Sequence, residues 1–184
     1  MRAFVSVDLP PSFAEPIAAL QTELEDAAGL NFTDPAQAHL TLKFLGDIDD
    51  DRLPEIESAL ETAVEDADVE PFEATVGGVG AFPSEDYIRV VWLGFTDGTA
   101  ELTRLHEAIE DQMVGLGFDA EAHDFTPHVT LARMEHAGGK ERVQEFLRER
   151  SPTIDSFSVE EVRLKESTLT DDGPVYSTVT AIEL

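Results

Sequence analysis

The feature that most constrains this chain is a short alternating segment that occurs twice. Residues 39–46 read His-Leu-Thr-Leu-Lys-Phe-Leu-Gly, and their polar and apolar side chains alternate with the two-residue period of a half-buried strand. A near copy, His-Val-Thr-Leu, stands at 128–131. Strict alternation divides the first copy into two faces, a core side with Leu40, Leu42 and Phe44 and an opposite side with His39, Thr41 and Lys43. We therefore expect a fold built around two similar strands, each presenting a histidine and a threonine.

The rest of the chain shows helical and strand patterns in turn. Apolar residues recur at helical spacing in four segments, 13–24, 53–64, 102–113 and 143–147. Besides the two histidine segments, strand patterns occur at 2–8, 72–80, 88–95, about 157–167 and 174–183. Because the patterns of neighbouring strands are typical of hairpins, antiparallel pairing is favoured over a doubly wound parallel sheet. We predict an α+β fold: one bilobal domain over residues 1–184, with two pseudo-symmetric lobes of antiparallel sheet, outer helices and a central cleft that carries both His-x-Thr motifs.

The charge of the chain is strongly unbalanced. It has 39 Asp and Glu residues against 12 Lys and Arg, a formal net charge of −27, and its lysines are Lys43, Lys140 and Lys165. An acid excess with few lysines is typical of proteins adapted to high salt, where carboxylates stay hydrated and their repulsion is screened. We therefore predict a halophilic protein. This balance also removes the general electrostatic attraction that most RNA-binding proteins use.

Several classes of protein are excluded. Without cysteine the chain has no disulfide, no thiolate metal site and no cysteine nucleophile. No apolar run approaches the ~20 residues that span a bilayer. The first apolar segment is interrupted by Asp8, too early for a signal peptide. We expect a cytoplasmic monomer with no membrane partner.

Two histidine strands that meet across a cleft would form an acid–base pair. Histidine is the one side chain whose unperturbed pKa allows it to donate or accept a proton near neutrality. One imidazole can take a proton from water while the other supplies one to a leaving oxygen. The two threonine hydroxyls can donate to the oxygens of a phosphoryl group. Phosphoryl transfer depends mainly on positioning and electrostatics, so this set needs no metal and no other cofactor.

The motifs resemble those of a known family, the 2H phosphoesterases. Within that superfamily they are similar to the RNA 2′,3′-cyclic phosphodiesterases, also called 2′-5′ RNA ligases. The two main motifs correspond to residues 39–46 and 125–133, and further similar positions are 2–10, 80–83, 89–94, 164–167, Gly173 and Tyr176. The resemblance extends over essentially the whole chain. It implies a bilobal fold with a central cleft and the hydrolysis of terminal 2′,3′-cyclic phosphates on RNA to 2′-phosphates.

The resemblance also implies roles for the motif residues. His39 would donate a proton to the leaving ribose oxygen and His128 would accept one from water, while Thr41 and Thr130 would hold phosphate oxygens. RNA ends or cyclic nucleotides would be the partners in the cleft. At 31–33 the chain has Asn-Phe-Thr where family members carry a basic–aromatic pair, so that contact with nucleic acid is not carried over. Two alternatives remain open: 2′-5′ RNA ligation at the same site, and a non-catalytic module that binds RNA ends or nucleotides.

Three further residues are candidates for substrate binding: Arg133, Phe82 and Phe125. The two phenylalanines stand beside loops near the motifs and can stack on a base. Strict alternation puts Arg133 on the face opposite His128, so it reaches a phosphate only if the strand bends or ends there. Trp92 lies in an apolar segment and is predicted to be in the core.

The other histidines are predicted to have no part in the chemistry. His106 lies in a helical segment among glutamates and is expected at the surface, and His123 and His136 stand in polar surroundings and are expected to be exposed. The sequence has no HxH or HExxH motif and no carboxylate at ligand spacing from these histidines. We therefore expect no metal site.

Overall fold

The computed structural model describes all 184 residues. It has four α-helices: α1 (Ala14–Glu23), α2 (Leu53–Ala67), α3 (Thr99–Gly115) and α4 (Lys140–Glu149). It has nine strands: β1 (Arg2–Asp8), β2 (Leu30–Phe32), β3 (His39–Asp47), β4 (Phe72–Pro83), β5 (Ile88–Asp97), β6 (His128–Met134), β7 (Thr153–Val159), β8 (Glu161–Thr170) and β9 (Gly173–Glu183). Strand β2 was not predicted, because three residues are too few to show an alternation. The strand predicted at 157–167 is instead divided between β7 and β8.

All strand pairs are antiparallel, and they belong to one sheet. The order is β7-β4-β5-β6-β3-β1-β8-β9, and β2 pairs with β6 beside this path. The antiparallel α+β class predicted from the hairpin pattern is thereby confirmed. The central strands β3 and β6 are joined by a single register pair, Leu40 with Val129. The path therefore has two four-stranded halves that meet at the two histidine strands.

The halves of the sheet are interleaved along the sequence. The β4–β5 hairpin follows the first histidine strand in the chain but pairs with the second, β6. The β8–β9 hairpin comes last in the chain and pairs with β1, next to β3. The helices cross in the same way, since α1 contacts β6 and α3 contacts β3. The repeat seen in the sequence therefore does not correspond to two lobes of consecutive residues.

One face of the sheet forms a core with the helices. In β1 the alternation is as predicted, with Ala3, Val5 and Val7 in this core. The predicted helical stripes are buried as well, among them Ile17, Leu20, Ile56, Leu60, Leu105, Ile109, Val143 and Phe146. Each fully buried aliphatic side chain stabilises the fold by about 1.5–3 kcal/mol. None of the four helices combines the length and the apolar character that crossing a membrane requires. We call the opposite face of the sheet, which carries the side chains of both His-x-Thr motifs, the open face.

Strand β3 departs from strict alternation after Thr41. Two consecutive residues of β1 pair with Thr41 and Lys43, so Leu42 is an extra residue, a β-bulge. The bulge reverses the alternation beyond it: Lys43 is 2% exposed, whereas Phe44 is 46% exposed. The prediction of Phe44 in the core and Lys43 on the opposite face is therefore wrong.

Strand β6 contains the same irregularity. Two consecutive residues of β5 pair with Thr130 and Ala132, which leaves Leu131 as the extra residue. Leu131 and Ala132 are both buried and Arg133 is exposed, as in the first histidine strand. The two bulges thus turn Phe44 and Arg133 to the open face.

The buried ammonium group of Lys43 is held by α3 and by the segment that follows it. Its Nζ lies 2.8 Å from Glu110 Oε2 and 3.6 Å from Glu121 Oε1, and it donates to the Asp119 carbonyl at 2.6 Å. Burial raises the pKa of Glu110, but hydrogen bonds from Lys43 and from the Glu121 amide outweigh burial and leave that pKa below its ordinary value. The bulge therefore places a charged pair between β3 and α3.

We expect Lys43→Met to lower the free energy of unfolding by about 3 kcal/mol, because it leaves the Glu110 carboxylate without its cation. Urea unfolding followed by circular dichroism measures the loss. The matched control is Arg150→Met, since Arg150 pairs with Glu23 at 3.0 Å and the two side chains are 45% and 39% exposed. Such a surface pair contributes about 0–1 kcal/mol. Equal losses in the two variants would contradict a stabilising buried pair.

Candidate active site

The two histidine strands bring four polar side chains together on the open face. The single pair that joins β3 to β6 sets an antiparallel register in which Thr41 lies opposite His128, and His39 opposite Thr130. Each histidine therefore faces the threonine of the other motif. Diagonal neighbours in such a ladder are about 7–8 Å apart, so the two imidazoles can reach one group placed between them.

Both imidazoles are oriented by a backbone carbonyl two residues earlier. The Nδ1–H of His39 donates to the Gln37 carbonyl at 2.9 Å, and that of His128 donates to the Thr126 carbonyl at 2.7 Å. Because a carbonyl oxygen only accepts, each neutral ring carries its proton on Nδ1 and has a lone pair on Nε2. The Nε2 atom of each ring can therefore act as a base or, once protonated, as an acid.

Gln37, which orients His39, also fixes the start of β9. Its side chain accepts from the Tyr176 amide at 2.8 Å and donates to the Pro174 carbonyl at 3.0 Å. The Tyr176 ring stands edge-on to the His39 ring with centroids 5.0 Å apart. The ring of Phe4 lies at the same 5.0 Å from His39. The first catalytic candidate is thus enclosed by aromatic rings from both ends of the chain.

Aromatic rings from β4 and β5 enclose His128 in the same way. Phe82 stands edge-on to it with centroids 4.8 Å apart, and the Trp92 ring lies at 6.2 Å. Trp92 pairs with Thr130 and shares its side of the sheet, so its predicted place in the core is wrong. The indole lies over Gly80, where a Cβ atom would come within 2.3 Å of the ring. Glycine is therefore required at position 80.

The pKa values of both histidines are lowered below the ordinary 6.5, chiefly because the rings are buried. The hydrogen bond of each ring to a backbone carbonyl raises its pKa, but by less than burial lowers it. The charge of Asp8 also raises the pKa of His39, while the charges of Lys165 and His128 lower it further. For His128, the charge of Arg133 adds to the lowering. The second imidazole is therefore close enough to His39 to lower its pKa, and burial favours the neutral form of both rings.

A polar cluster on β1 and β8 lies beside His39. Asp8 pairs with His39 across the sheet, and its Oδ2 accepts from Lys165 Nζ at 2.7 Å and from Arg163 at 3.2 Å. Its Oδ1 accepts from the Ser6 hydroxyl at 3.0 Å. Sequence reasoning did not assign these residues to the site. The signal was present, because Ser6 and Asp8 fall on the outward positions of the alternating first strand.

The bulge at Leu131 brings Arg133 to the open face. Burial of the Tyr176 phenol raises its pKa above the ordinary value, and the charge of the Arg133 guanidinium acts in the opposite direction. The charge of Arg133 also lowers the pKa of His128. The Arg133 charge therefore acts on residues beside both motifs, His128 and Tyr176. The sequence made contact of Arg133 with a phosphate conditional on a bend in the strand. The bulge puts Arg133 on the same face as His128, and the phosphate contact stays a prediction.

A buried polar side chain from a helix donates to the carbonyl of each bulge residue. The Leu131 carbonyl accepts from Gln21 Nε2 on α1 at 3.1 Å, and also from the Thr33 amide at 3.1 Å and the Thr33 hydroxyl at 3.2 Å. His106 on α3 donates from Nδ1 to the Leu42 carbonyl at 2.7 Å. Both side chains are only 8% exposed, so the predicted surface position of His106 is wrong. Helices α1 and α3 thus each supply a hydrogen-bond donor to the bulge in the histidine strand that they contact.

His106 also touches the segment that leads into the second motif. Its ring stacks on Phe125 with centroids 4.1 Å apart and an interplanar angle of 9°. Phe125 packs against the core and precedes Thr126, whose carbonyl orients His128. The structure therefore does not bring Phe125 to the open face, where it does place Phe82 and Arg133.

The remaining histidines lie outside this arrangement. His123 and His136 are exposed, as predicted, and the His136 Nδ1 accepts from the Gly138 amide at 3.1 Å. No three His, Asp or Glu side chains of the chain are grouped so that they could hold a metal ion. The polar groups on the open face beside the two imidazoles are the threonine hydroxyls, the Arg133 guanidinium and the Asp8 carboxylate with its cations.

We expect the lowered pKa values of His39 and His128 to make folding stability pH-dependent. In the unfolded chain both rings titrate near 6.5, whereas in the folded chain they stay neutral to lower pH, so the unfolded state binds more protons. The stability they contribute is present above about pH 6.5 and is lost as the pH falls towards the folded pKa values. Urea unfolding at pH 7.5 and pH 5 measures this loss. Between pH 7.5 and pH 5, the free energy of unfolding should fall less in the double variant His39→Gln/His128→Gln than in the unaltered protein. An equal fall in both would contradict the lowered pKa values.

Two comparisons of sequence identify relatives of this chain. The model of the 2′-5′ RNA ligase superfamily matches residues 9–169. The chain is 34% identical to an RNA 2′,3′-cyclic phosphodiesterase of Methanothermobacter thermautotrophicus, with 100% of this chain and 99% of the relative aligned. It is also 34% identical to one of Archaeoglobus fulgidus, with 100% of both chains aligned.

The fold has matches among solved structures. A crystal structure of a Thermus thermophilus protein superposes with a TM-score of 0.80 at 28% identity and covers 100% of this chain and 98% of that one. Escherichia coli LigT complexed with 3′-AMP superposes with a TM-score of 0.79 at 25% identity and covers 100% and 97%. With two His-x-Thr strands at the centre of its sheet and full-length relatives, the chain belongs to the 2′-5′ RNA ligase superfamily of 2H phosphoesterases.

Proposed function

We propose that this chain hydrolyses terminal 2′,3′-cyclic phosphates on RNA to 2′-phosphates. The observation that carries the proposal is the pair of histidines on one face, each with a lone pair on Nε2 and each opposite the threonine of the other motif. The full-length relatives from Methanothermobacter and Archaeoglobus support it, since both are RNA 2′,3′-cyclic phosphodiesterases by name. An acid and a base on either side of one phosphate are what opening a cyclic phosphodiester requires.

In the proposed reaction, water attacks the phosphorus in line with the bond to the ribose O3′. Neutral His128 accepts a proton from the water at Nε2 as the new P–O bond forms. Protonated His39 donates its Nε2 proton to O3′ as the P–O3′ bond breaks, which leaves a 3′-hydroxyl and a 2′-phosphate. The two rings end in each other's protonation state, and proton exchange with solvent restores them. The Nδ1 bonds to Gln37 and Thr126 keep both rings aligned throughout.

The other polar residues stabilise the charge on the phosphate. Thr41 and Thr130 donate to its non-bridging oxygens, and the Arg133 guanidinium stabilises the negative charge that develops in the transition state. The net charge of −27 repels RNA at long range. At about 1 M salt, however, the screening length is only ~3 Å, so the contacts within the site decide binding. The assays described below are therefore best performed in molar KCl.

We expect His39→Ala and His128→Ala each to abolish hydrolysis of an oligoribonucleotide with a 2′,3′-cyclic end, assayed in the presence of a chelator. Each variant removes one of the two proton transfers, and general acid–base catalysis contributes typically about 10²–10⁴-fold per group. Circular dichroism is the control for folding, and His123→Ala is the matched exposed-histidine control.

Three outcomes would contradict this function. Full activity in either histidine variant would exclude the acid–base pair. Net formation of 2′-5′ linkages at rising RNA concentration would identify a ligase. Saturable binding of the RNA without turnover would identify a binding module. Chromatography of the products at several RNA concentrations distinguishes these outcomes.

We expect the maximum of kcat/KM to lie below about pH 6.5. The reaction needs one neutral and one protonated imidazole, and both pKa values in the free enzyme are below the ordinary 6.5. Activity should fall above the maximum as the acid loses its proton and below it as the base becomes protonated. A pH–rate profile with adenosine 2′,3′-cyclic phosphate measures both limbs, and a maximum above about pH 7.5 would contradict the lowered values.

We expect His106→Leu to reduce kcat by about 10–100-fold with little change in KM, because a displacement of about 1 Å at a catalytic group can cost about 10²-fold. Leucine leaves the carbonyl of the Leu42 bulge without its donor and so releases the neighbouring Thr41. Gln21 already performs this function at the other bulge, so His106→Gln should restore most of kcat. Equal kcat values for the leucine and glutamine variants would exclude a positioning role for His106.

A further inference from the structure

The strands that flank the two histidine strands differ at one matching position. Strand β1 lies beside β3 and β5 lies beside β6, and each supplies the residue directly opposite a histidine. Asp8 is opposite His39, whereas Gly94 is opposite His128. Directly opposite residues of an antiparallel pair share a face, and their Cβ atoms are about 4.5–5.5 Å apart. The matching positions therefore hold a carboxylate at the first motif and no side chain at the second.

The fold leaves little room for a carboxylate beside His128. A Cβ atom at Gly94 would lie 3.1 Å from the Gly77 carbonyl oxygen and 3.1 Å from the Trp92 ring, which is tighter than ordinary van der Waals contact. The charge that acts on His128 is instead the Arg133 guanidinium, which lowers its pKa in addition to burial. Two similar histidine strands thus have unlike electrostatic surroundings.

The carboxylate beside His39 is fixed by three donors. Its Oδ1 accepts from the Ser6 hydroxyl at 3.0 Å, and its Oδ2 accepts from Lys165 at 2.7 Å and from Arg163 at 3.2 Å. Ser6 is fully buried and Lys165 is 9% exposed. Because donors hold both of its oxygens, the Asp8 carboxylate has one position, next to the imidazole.

Charged groups face His39 from several strands. Burial lowers the pKa of His39, and among these charges the largest influence is that of Asp8 on β1, which raises the pKa. The charges of Lys165 on β8 and His128 on β6 lower it by less. The Tyr176 phenol on β9 stays neutral, because burial raises its pKa. Asp8 is therefore the group that favours the imidazolium form of His39, the form a proton donor needs.

We propose that Asp8 is a positioning residue for the catalytic proton, and that its carboxylate keeps this proton on His39 and not on His128. The inference rests on the proposed function, and it names the residue that makes two similar histidines unequal. Asp8 acts through His39 and does not touch the substrate. Lys165 and Arg163 offset the negative charge that Asp8 would otherwise present to a phosphate.

The direct test is the titration of both imidazoles by NMR, with the signals assigned from the His39→Gln and His128→Gln variants. Asp8→Asn should lower the pKa of His39 by about one unit, the smaller end of the effect of an adjacent opposite charge, and should not lower that of His128. Lys165→Met should raise the pKa of His39, because it removes a cation and leaves Asp8 with Ser6 and Arg163. Circular dichroism checks the folding of each variant, and each tests the proposal without the other.

The same variants should shift the pH–rate profile for adenosine 2′,3′-cyclic phosphate. In Asp8→Asn the alkaline limb of kcat/KM should move about one unit lower, so that activity at pH 7.5 falls about tenfold and is recovered at lower pH. The matched control is Asp26→Asn, since Asp26 pairs with Arg142 at 3.2 Å and is 67% exposed. It should leave both imidazole pKa values and the profile unchanged.

Two results would overturn the proposal. One is an unchanged pKa of His39 in Asp8→Asn. The other is a shift in the same direction in Asp8→Asn and Lys165→Met, which indicates a structural effect and not an effect of charge. The titration does not depend on turnover. Opposite shifts in a protein that hydrolyses no cyclic phosphate would therefore support the action of Asp8 on His39 and contradict the proposed function alone.

Discussion

The active face of this protein depends on two β-bulges whose carbonyl groups are hydrogen-bonded from the helices. A bulge removes a residue from the ladder, and its carbonyl then needs another donor if it is buried. At Leu42 a donor is His106, and at Leu131 Gln21 donates beside the amide and the hydroxyl of Thr33. The bulges reverse the alternation of both histidine strands and so decide which side chains accompany the histidines. The positions of Lys43, Phe44 and Arg133 follow from this reversal.

The two donors come from helices that have crossed from one half of the sheet to the other. Because α1 follows β1 but packs on β6, a side chain from the N-terminal part of the chain supports the second motif. In the same way α3 follows β5 but packs on β3. The crossing makes each motif dependent on residues distant in sequence. It also explains how two strands joined by one register pair keep a fixed relation, since the helices hold them from the core side.

Much of this arrangement could be predicted from the sequence, and what could not be has a common cause. The alternating pattern and its repeat led to His39 and His128, and the hairpin signals led to the antiparallel class. The pattern failed at Lys43 and Phe44, because the inserted bulge residue is a leucine that fits the same alternation. The burial of His106 was missed because it depends on the same bulge. The His106 ring can be buried because it donates a hydrogen bond to the Leu42 carbonyl, and the helical pattern does not show that acceptor. The exchange of hairpins between the halves is a non-local pairing, and a local pattern holds no information about it.

The interleaved sheet has a consequence for how the protein acquires its activity. Strand β1 has its neighbours in β3, soon after it in the chain, and in β8, which is made last but one. The Phe4 ring on β1 contacts both His39 and Tyr176 of the final strand, so the surroundings of the first histidine form only when the two ends of the chain have met. Contacts of such long sequence separation make folding slow. A nascent or partly unfolded chain would hold both motifs and still lack the site, so catalysis reports on the integrity of the entire fold.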